Sequence, residues 1–355
     1  MKSLKMGSLT IPLPIIQGGM GVGISLSGLA AAVANEGGVG VISSAGLGLL
    51  YKKSGKNYIE SSIQGLKEEL RKTREKTMGI IGVNVMVAMS NFADMVKTAI
   101  TEKADIIFSG AGLPLDMPSY LQSGSKTKLV PIVSSDRAAR IICEKWKKNY
   151  NYLPDAIVVE GPKAGGHLGF KNNQITDEHY SLEHLVPKVV ATVKVYEDQY
   201  KVKIPIIAAG GVYTGQNIFD ILKLGSSGVQ LGTRFVTTTE CDASQAFKET
   251  YINAKSGDIE IIESPVGMPG RAIRNNFIDK IKLGYKHPIR CPFKCIKNCD
   301  VASSPYCIIN ALFNAFKGKF DNGYAFAGTN AYLAAKIISV KETFNDILRE
   351  YNLSK

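Results

Sequence analysis

Short stretches rich in glycine punctuate the chain: Gln17-Gly18-Gly19-Met20-Gly21, Gly165-Gly166-His167, Gly210-Gly211 and Gly232-Thr233. A residue without a Cβ lets a flat ring or a phosphate come close to the main chain, whose N–H groups can then bond an anion. His167 is the one histidine of four set among glycines. Its imidazole is therefore expected to stand unshielded, with a pKa near neutrality suited to proton transfer or to hydrogen bonding an oxyanion. His179, His184 and His287 lack such surroundings and read as ordinary surface or core residues. Asn84, Ser134 and Glu160 add isolated polar groups, each at the end of an apolar run.

Other chemistries find little support. Cys143 and Cys241 fall in helical patterns, and no serine sits in a nucleophile elbow, so acyl-transfer hydrolysis is excluded. Carboxylates are scarce beside the glycine stretches, which leaves paired-acid and acid-held Mg2+ mechanisms without their groups. The residues suit a bound cofactor that carries the difficult chemistry.

The elements that would position these residues follow from the apolar pattern. Eight runs rich in Val and Ile read as strands: Leu13 to Gln17, Val39 to Ser43, Ile80 to Val85, Ala104 to Phe108, Leu129 to Ser134, Ala156 to Glu160, Ile204 to Ala209 and Gly228 to Leu231. Helical patterns separate them, over Ser25 to Asn35, Tyr58 to Lys72, Asn91 to Thr101, a short one near Met117, Asp136 to Lys148, Leu182 to Tyr200 and Gln216 to Leu224. The runs are continuous rather than alternating, as in a parallel sheet covered on both faces. Eight βα units predict a closed (β/α)8 TIM barrel, in which every candidate site residue follows a strand and faces one mouth. The loops after strands seven and eight are where barrels build phosphate sites, here with help from the helix that starts at Gln216. An open doubly wound sheet would need Gly-x-Gly-x-x-Gly after the first strand, and the glycines at 18, 19, 21 and 23 have another spacing.

Beyond the eighth strand the pattern changes. We divide the chain into a barrel, residues 1–240, and a C-terminal helical extension, residues 241–355, with a Cys-rich segment at 287–310 and a last helix over Ala331 to Tyr351. A net charge of +12, from 43 Lys and Arg against 31 Asp and Glu, favours anionic partners, but no nucleic-acid motif or dense basic block accompanies it. Pro12 and Pro14 interrupt the first apolar segment before a cleavable signal forms, and Leu26 to Leu50 carries Asn35-Glu36-Gly37-Gly38 in its middle, so neither export nor a membrane span is expected. Six cysteines in 355 residues make no secreted disulfide frame, which points to the cytoplasm.

These residues resemble a known family. Gln17-Gly18-Gly19-Met20-Gly21, Gly82-Val83-Asn84, Glu160-Gly161-Pro162-Lys163-Ala164-Gly165-Gly166-His167-Leu168-Gly169, Ala208-Ala209-Gly210-Gly211-Val212 and Gly228-Val229-Gln230-Leu231-Gly232-Thr233-Arg234-Phe235 are similar to the motifs of the nitronate monooxygenases. The resemblance covers about residues 8 to 240 and resumes at Phe326-Ala327-Gly328. It implies a barrel with non-covalent FMN. Gln17, Gly18, Gly19 and Met20 would lie under the flavin ring, and Asn84 and Ser134 would contact it. Glu160, Gly165 and Gly166 would complete the cofactor wall, Gly210, Gly211, Gly232 and Thr233 would hold the phosphate, and His167 would be the catalytic residue. It further implies oxidation of small alkyl nitronates with oxygen to a carbonyl compound and nitrite. The same motifs resemble the flavin-dependent enoyl-acyl-carrier-protein reductases, which would use NAD(P)H on an enoyl thioester. A non-catalytic flavin-binding sensor is a third reading, against which His167 stands. Lys163 departs from the acidic residue common in the family, and the Cys segment is a second departure. A homodimer through the C-terminal helices is one expected assembly.

Cys291, Cys295, Cys299 and Cys307 are separated by three, three and seven residues. Zinc sites accept two to four residues between paired ligands, and thiolates also hold iron–sulfur clusters, although this spacing matches no common pattern of either. Lys294, Lys297 and Arg290 would lower the thiol pKa values. The alternative is four reduced thiols that pack the excursion in place.

Overall fold

The structure, a computed structural model, describes residues 1–52, 56–286, 291 and 293–355. His287 and Arg290 lie outside the described residues.

Eight parallel strands close into a barrel in chain order: β1 Ile15–Gln17, β2 Val39–Ser43, β3 Ile80–Met86, β4 Ile106–Gly110, β5 Lys128–Val133, β6 Ile157–Glu160, β7 Ile206–Ala209 and β8 Gly228–Leu231. Each strand buries both faces. Ile16, Val41, Phe108, Val130, Val158 and Ile207 fill the interior, while Ile42, Val83, Ile107, Val159 and Ala208 meet the surrounding helices. This double burial is why the runs lack polar alternation. β4 starts two residues later than its apolar run predicts, because Asp105 is used in the turn: its Oδ2 accepts from Ile81 N (2.8 Å) and pairs with Arg74 (2.6 Å).

The barrel helices are α1 Ser27–Asn35, α2 Tyr58–Lys76, α3 Phe92–Thr101, α4 Asp136–Tyr150, α5 Leu182–Tyr200 and α6 Gly215–Lys223. Local signals explain most ends. Asn57 and Glu60 form a capping box for α2, Ser135 accepts from Ala138 N at the start of α4, and Asn151 ends α4 in the left-handed region. Helix α1 has no cap of its own; Asp242, distant in sequence, accepts from Leu26, Gly28 and Leu29 N–H at 2.7, 3.0 and 3.1 Å. Cys241 beside it lies in a buried turn, not in the helix its pattern suggested.

A hairpin of Leu4–Met6 and Leu9–Ile11 puts Leu4, Met6 and Ile11 into the inner cluster. It closes the N-terminal end of the barrel: Gly7 lies against Lys128, and Leu4 against Gly228, at the starts of β5 and β8.

The C-terminal part contains α7 Gln245–Asn253, a hairpin of β9 Ile259–Glu263 and β10 Pro269–Ile273, then α8 Asn276–Lys282, α9 Ile308–Phe316 and α10 Val340–Leu353. It is thus not purely helical as expected, since the Ile-rich run at 259–262 and the turn at Gly267 make a hairpin. The last helix also begins later than Ala331. Ser339 and Glu342 form the capping box that starts it, while Ala331–Leu333 is a 3-10 turn. No helix among the described residues is long and apolar enough to cross a membrane.

Candidate active site at the C-terminal mouth of the barrel

The strand ends surround a cleft of about 630 Å³, within the range of cofactor and substrate pockets. Gly18, Gly19, Met20, Asn84, Ser134, Glu160, Gly165, Gly166, His167, Gly210, Gly211, Gly232 and Thr233 all line it. Gln17 does not. Its side chain is fully buried, and Oε1 accepts from Val41 N at 3.0 Å, bonding β1 to β2 where the two strands share a single ladder pair. A polar side chain with a strand partner inside the barrel is already satisfied, so the Gln17 side chain serves strand pairing in this structure.

The glycines divide by cause. At Gly19 a Cβ would lie 2.3 Å from Asn84 Cβ, at Gly165 2.6 Å from the Ala327 and Gly328 backbone, and at Gly210 2.7 Å from Gly161 O. These serve close packing within the protein. Gly166, at φ +82°, has nothing within 4 Å of its missing Cβ and leaves space beside the cleft, whereas a Cβ at Gly232 would press on Met20 Sδ at 3.3 Å. Gly210 and Gly211 are both left-handed, at φ +94° and +90°.

The expected help from the α6 N-terminus is already committed elsewhere. Glu350 of α10 accepts from Gly215 N at 2.7 Å, so a carboxylate of the chain occupies the position an anion would take. What faces the cleft are the glycine loops themselves. Asn330 Nδ2 donates to Gly211 O (2.7 Å), and Gly328 N donates to Thr233 Oγ1 (3.0 Å), which braces both loops from the C-terminal part.

His167 is positioned by elements that its surrounding glycines did not reveal. Gly166–His167 forms a short strand paired antiparallel with Gly270 and Arg271 of β10, so the hairpin carries the imidazole over the mouth. The Nε2 atom is 2.8 Å from Ser264 Oγ, and the ring meets Phe326 edge-on at 5.1 Å. Burial pushes its pKa down to about 4, rather than leaving it near neutrality. The imidazole is therefore neutral at pH 7. Behind it, Arg271 Nη1 donates to Pro162 O and, at 2.9 Å, to Ala164 O, fixing the loop that leads to the glycine pair. Ser264, Arg271 and Phe326 were not legible as site residues; only the Ser264-Pro265-Val266-Gly267 turn sequence hinted at a hairpin.

At the end of β6, burial alone pushes the Glu160 carboxyl up to about 7. Lys163 reaches the rim, where its side chain lies beside Gly211. A neutral imidazole, a carboxyl that holds its proton near neutral pH and a rim ammonium form a site that tolerates negative charge in a ligand.

The Cys segment borders the same mouth. Lys297 N donates to Ala88 O and Ser90 N to Cys295 O, both at 3.0 Å, seating it on the loop after β3. Its lysines do not set the thiol pKa values as expected: burial pushes Cys295 up to about 12 and Cys307 upward as well. Among the described residues no three of His, Cys, Asp or Glu are drawn together as a metal-ligand group.

Comparison with known proteins agrees with this geometry. The chain is 29% identical over 311 residues to a probable nitronate monooxygenase of Staphylococcus aureus strain Newman, covering 77% of this chain and 78% of the relative. The FabK structure from Thermotoga maritima superposes with a TM-score of 0.74 at 28% identity, covering 97% and 94% of the two chains. A nitroalkane oxidase from Streptomyces ansochromogenes shares the fold, with a TM-score of 0.72 at 19% identity and 97% of each chain covered. The nitronate monooxygenase family model matches residues 2–350, through the barrel, the hairpin over its mouth and most of the last helix. The chain therefore belongs to the nitronate monooxygenase family and is a flavin-dependent oxidoreductase.

Proposed function

We propose that the protein is an FMN-dependent nitronate monooxygenase that oxidises small alkyl nitronates with oxygen. The observation that supports this most is the neutral His167 at the rim of a glycine-walled cleft whose other titratable groups accommodate an anion. The residues fit FMN. Gly166 leaves open the space a Cβ would fill, and the cleft has the volume for a ring system and a ribityl chain. Gly18, Gly19, Met20, Asn84 and Ser134 would hold the ring, with Glu160, Gly165 and Gly166 beside it. Gly210, Gly211, Gly232 and Thr233 would hold the phosphate. When bound, FMN supplies the exchange of electrons between the substrate carbon and oxygen.

The chain supplies binding and proton control. Lys163 and the +12 net charge draw a small anion toward the mouth. With Nε2 accepting from Ser264, the neutral imidazole would carry its proton on Nδ1 and donate it as a hydrogen bond to a nitronate oxygen. Ser264 fixes the ring through Nε2 and Phe326 blocks one side of it. Glu160, protonated in part at neutral pH, adds little repulsion to the incoming anion.

A second reading, NAD(P)H-dependent reduction of an enoyl thioester, is kept because the motifs also resemble those reductases and the positive charge suits an acidic carrier protein. One comparison separates them. The proposal expects oxygen uptake with an alkyl nitronate and no NAD(P)H, in a yellow protein that releases FMN on denaturation. Flavin bleaching by NADH followed by reoxidation with a crotonyl thioester, without nitronate turnover, would assign the reductase. A protein that cannot be loaded with FMN would remove both readings.

A further inference from the structure

The loop that joins β6 to His167 commits nearly all of its main-chain polar groups within the protein. Pro162 has no N–H and sits second in a turn closed by Ala164 N, which donates to Gly161 O at 3.2 Å, while Gly161 N donates to Ala209 O at 2.8 Å. Thr329 donates to Lys163 O twice, from N at 3.1 Å and from Oγ1 at 3.3 Å. The carbonyls of Pro162 and Ala164 both accept from a single atom, Arg271 Nη1. Every carbonyl from Gly161 to Ala164 is thus taken. Two donors remain: among the described residues, Lys163 N and Gly165 N have no acceptor.

Peptide planarity fixes where those two point. In a trans peptide the N–H lies opposite the preceding C=O, so the N–H groups of Lys163 and Gly165 are turned away from the guanidinium that holds Pro162 O and Ala164 O. Arg271 is 8% exposed and lies behind the loop, whereas Lys163 and Gly165 are exposed and line the cleft. Both free N–H groups are therefore on the open side.

The guanidinium is itself unbalanced. Buried charges are ordinarily paired, yet Arg271 makes no ion pair among the described residues, and both acceptors of its Nη1 are neutral carbonyls. Burial pulls its pKa down only to about 10, so it stays charged at neutral pH. Its surroundings add no counter-charge. Gly166 stands opposite it in the ladder and the neutral His167 opposite Gly270, and Glu160 holds a proton near neutral pH.

We propose that Arg271 is the positioning residue of an oxyanion subsite in the cleft: it turns the Lys163 and Gly165 N–H groups toward the ligand, and its unpaired charge is balanced by the oxyanion that they bind. The Lys163 ammonium stands at the rim of the same subsite. This deepens the reading of the cleft as one that accepts an anion, and rests on it. The group bound is an oxyanion, whether carried by the substrate or by the cofactor as its phosphate, and the arms of the test separate these sources.

Full-length wild type, Arg271→Gln and Arg271→Lys are compared without turnover. Glutamine keeps a donor for the carbonyls and loses the charge, whereas lysine keeps both. Nitrate, a planar oxyanion, is titrated into the FMN-loaded protein and followed by flavin absorbance; FMN and riboflavin are titrated into the flavin-free protein and followed by fluorescence. Arg271→Gln should weaken binding of nitrate or of FMN by about tenfold or more, with Arg271→Lys within about threefold of wild type. A loss confined to nitrate assigns the subsite to the substrate, and a loss for FMN without one for riboflavin assigns it to the phosphate. Nitrate and FMN affinities within about twofold of wild type in Arg271→Gln, or lowered equally in both variants, would make Arg271 a tether of the loop only and overturn the subsite. The wild type gives an answer even if a variant fails to fold: its Lys163 and Gly165 amide resonances should shift on adding nitrate, or on adding FMN but not riboflavin. Amides unmoved by saturating amounts of both would overturn the proposal. No readout requires turnover, so a protein inactive on nitronates would sink the assigned activity and leave the subsite standing.

Discussion

The two ends of the barrel are made from the same eight strands and are finished in opposite ways. At the N-terminal end, Leu4, Met6 and Ile11 of a hairpin continue the apolar interior, and the end is packed shut. At the C-terminal end the strands run into glycines and single polar residues, leaving a cleft of about 630 Å³ under a second hairpin. Both ends receive a hairpin. One delivers side chains for packing and the other delivers a histidine, so what each contributes to stability and to activity should be separable.

The largest effect expected is on the open end. His167→Ala should lower kcat/KM for a nitronate by about 10²- to 10⁴-fold with flavin content unchanged; a loss below tenfold would place the proton chemistry on another group. At the closed end the effects should reverse. Met6→Ala, at a fully buried position, should cost about 2–5 kcal/mol in denaturant unfolding and leave kcat within twofold. A fall in kcat matching the loss of stability would show that the two ends are coupled.

The pH dependence of stability sharpens the contrast. The Glu160 carboxyl is raised from 4.5 to about 7, so the folded protein holds a proton that the unfolded chain has released, and stability falls as pH rises from 4.5 through 7. Glu160→Gln should abolish a loss of order 1–3 kcal/mol between pH 5 and pH 8, read from melts of the flavin-free protein. His167 has the opposite sign. Its pKa is lowered from 6.5 to about 4, so its contribution is lost as pH falls below 6.5 and the imidazole must charge. The smallest effect belongs to Glu350→Ala, which removes the carboxylate from Gly215 N and should cost about 0.5–1 kcal/mol, detectable as faster amide exchange in the first turn of α6.

Much of the barrel could be read directly. Val39–Ser43 and Gly228–Leu231 match their apolar runs residue for residue, as does Leu182–Tyr200 its helical pattern. Local hydrophobicity and turn chemistry decide such elements. The site was legible as a set of strand ends, because a closed parallel barrel leaves its post-strand residues nowhere else to face. The partner of the Gln17 side chain is contained in no local pattern: its amide oxygen accepts from a backbone N–H on the neighbouring strand. Asp242 as the cap of α1 and Glu350 at α6 were equally hidden, being side chains that act more than a hundred residues away.

The sequence by itself determined the barrel, its strand register by burial on both faces, and the ring of glycines and polar residues at one mouth. Tertiary structure alone decided what those residues are for. Gly19 is glycine because Asn84 crowds it, whereas Gly166 stands open to the cleft, and the two look alike in a row of letters. The state of His167 was likewise decided in three dimensions. Its local sequence exposes the imidazole, but the hairpin from Ile259 to Ile273 buries it, and burial disfavours the charged form whatever residues stand next to it in the chain.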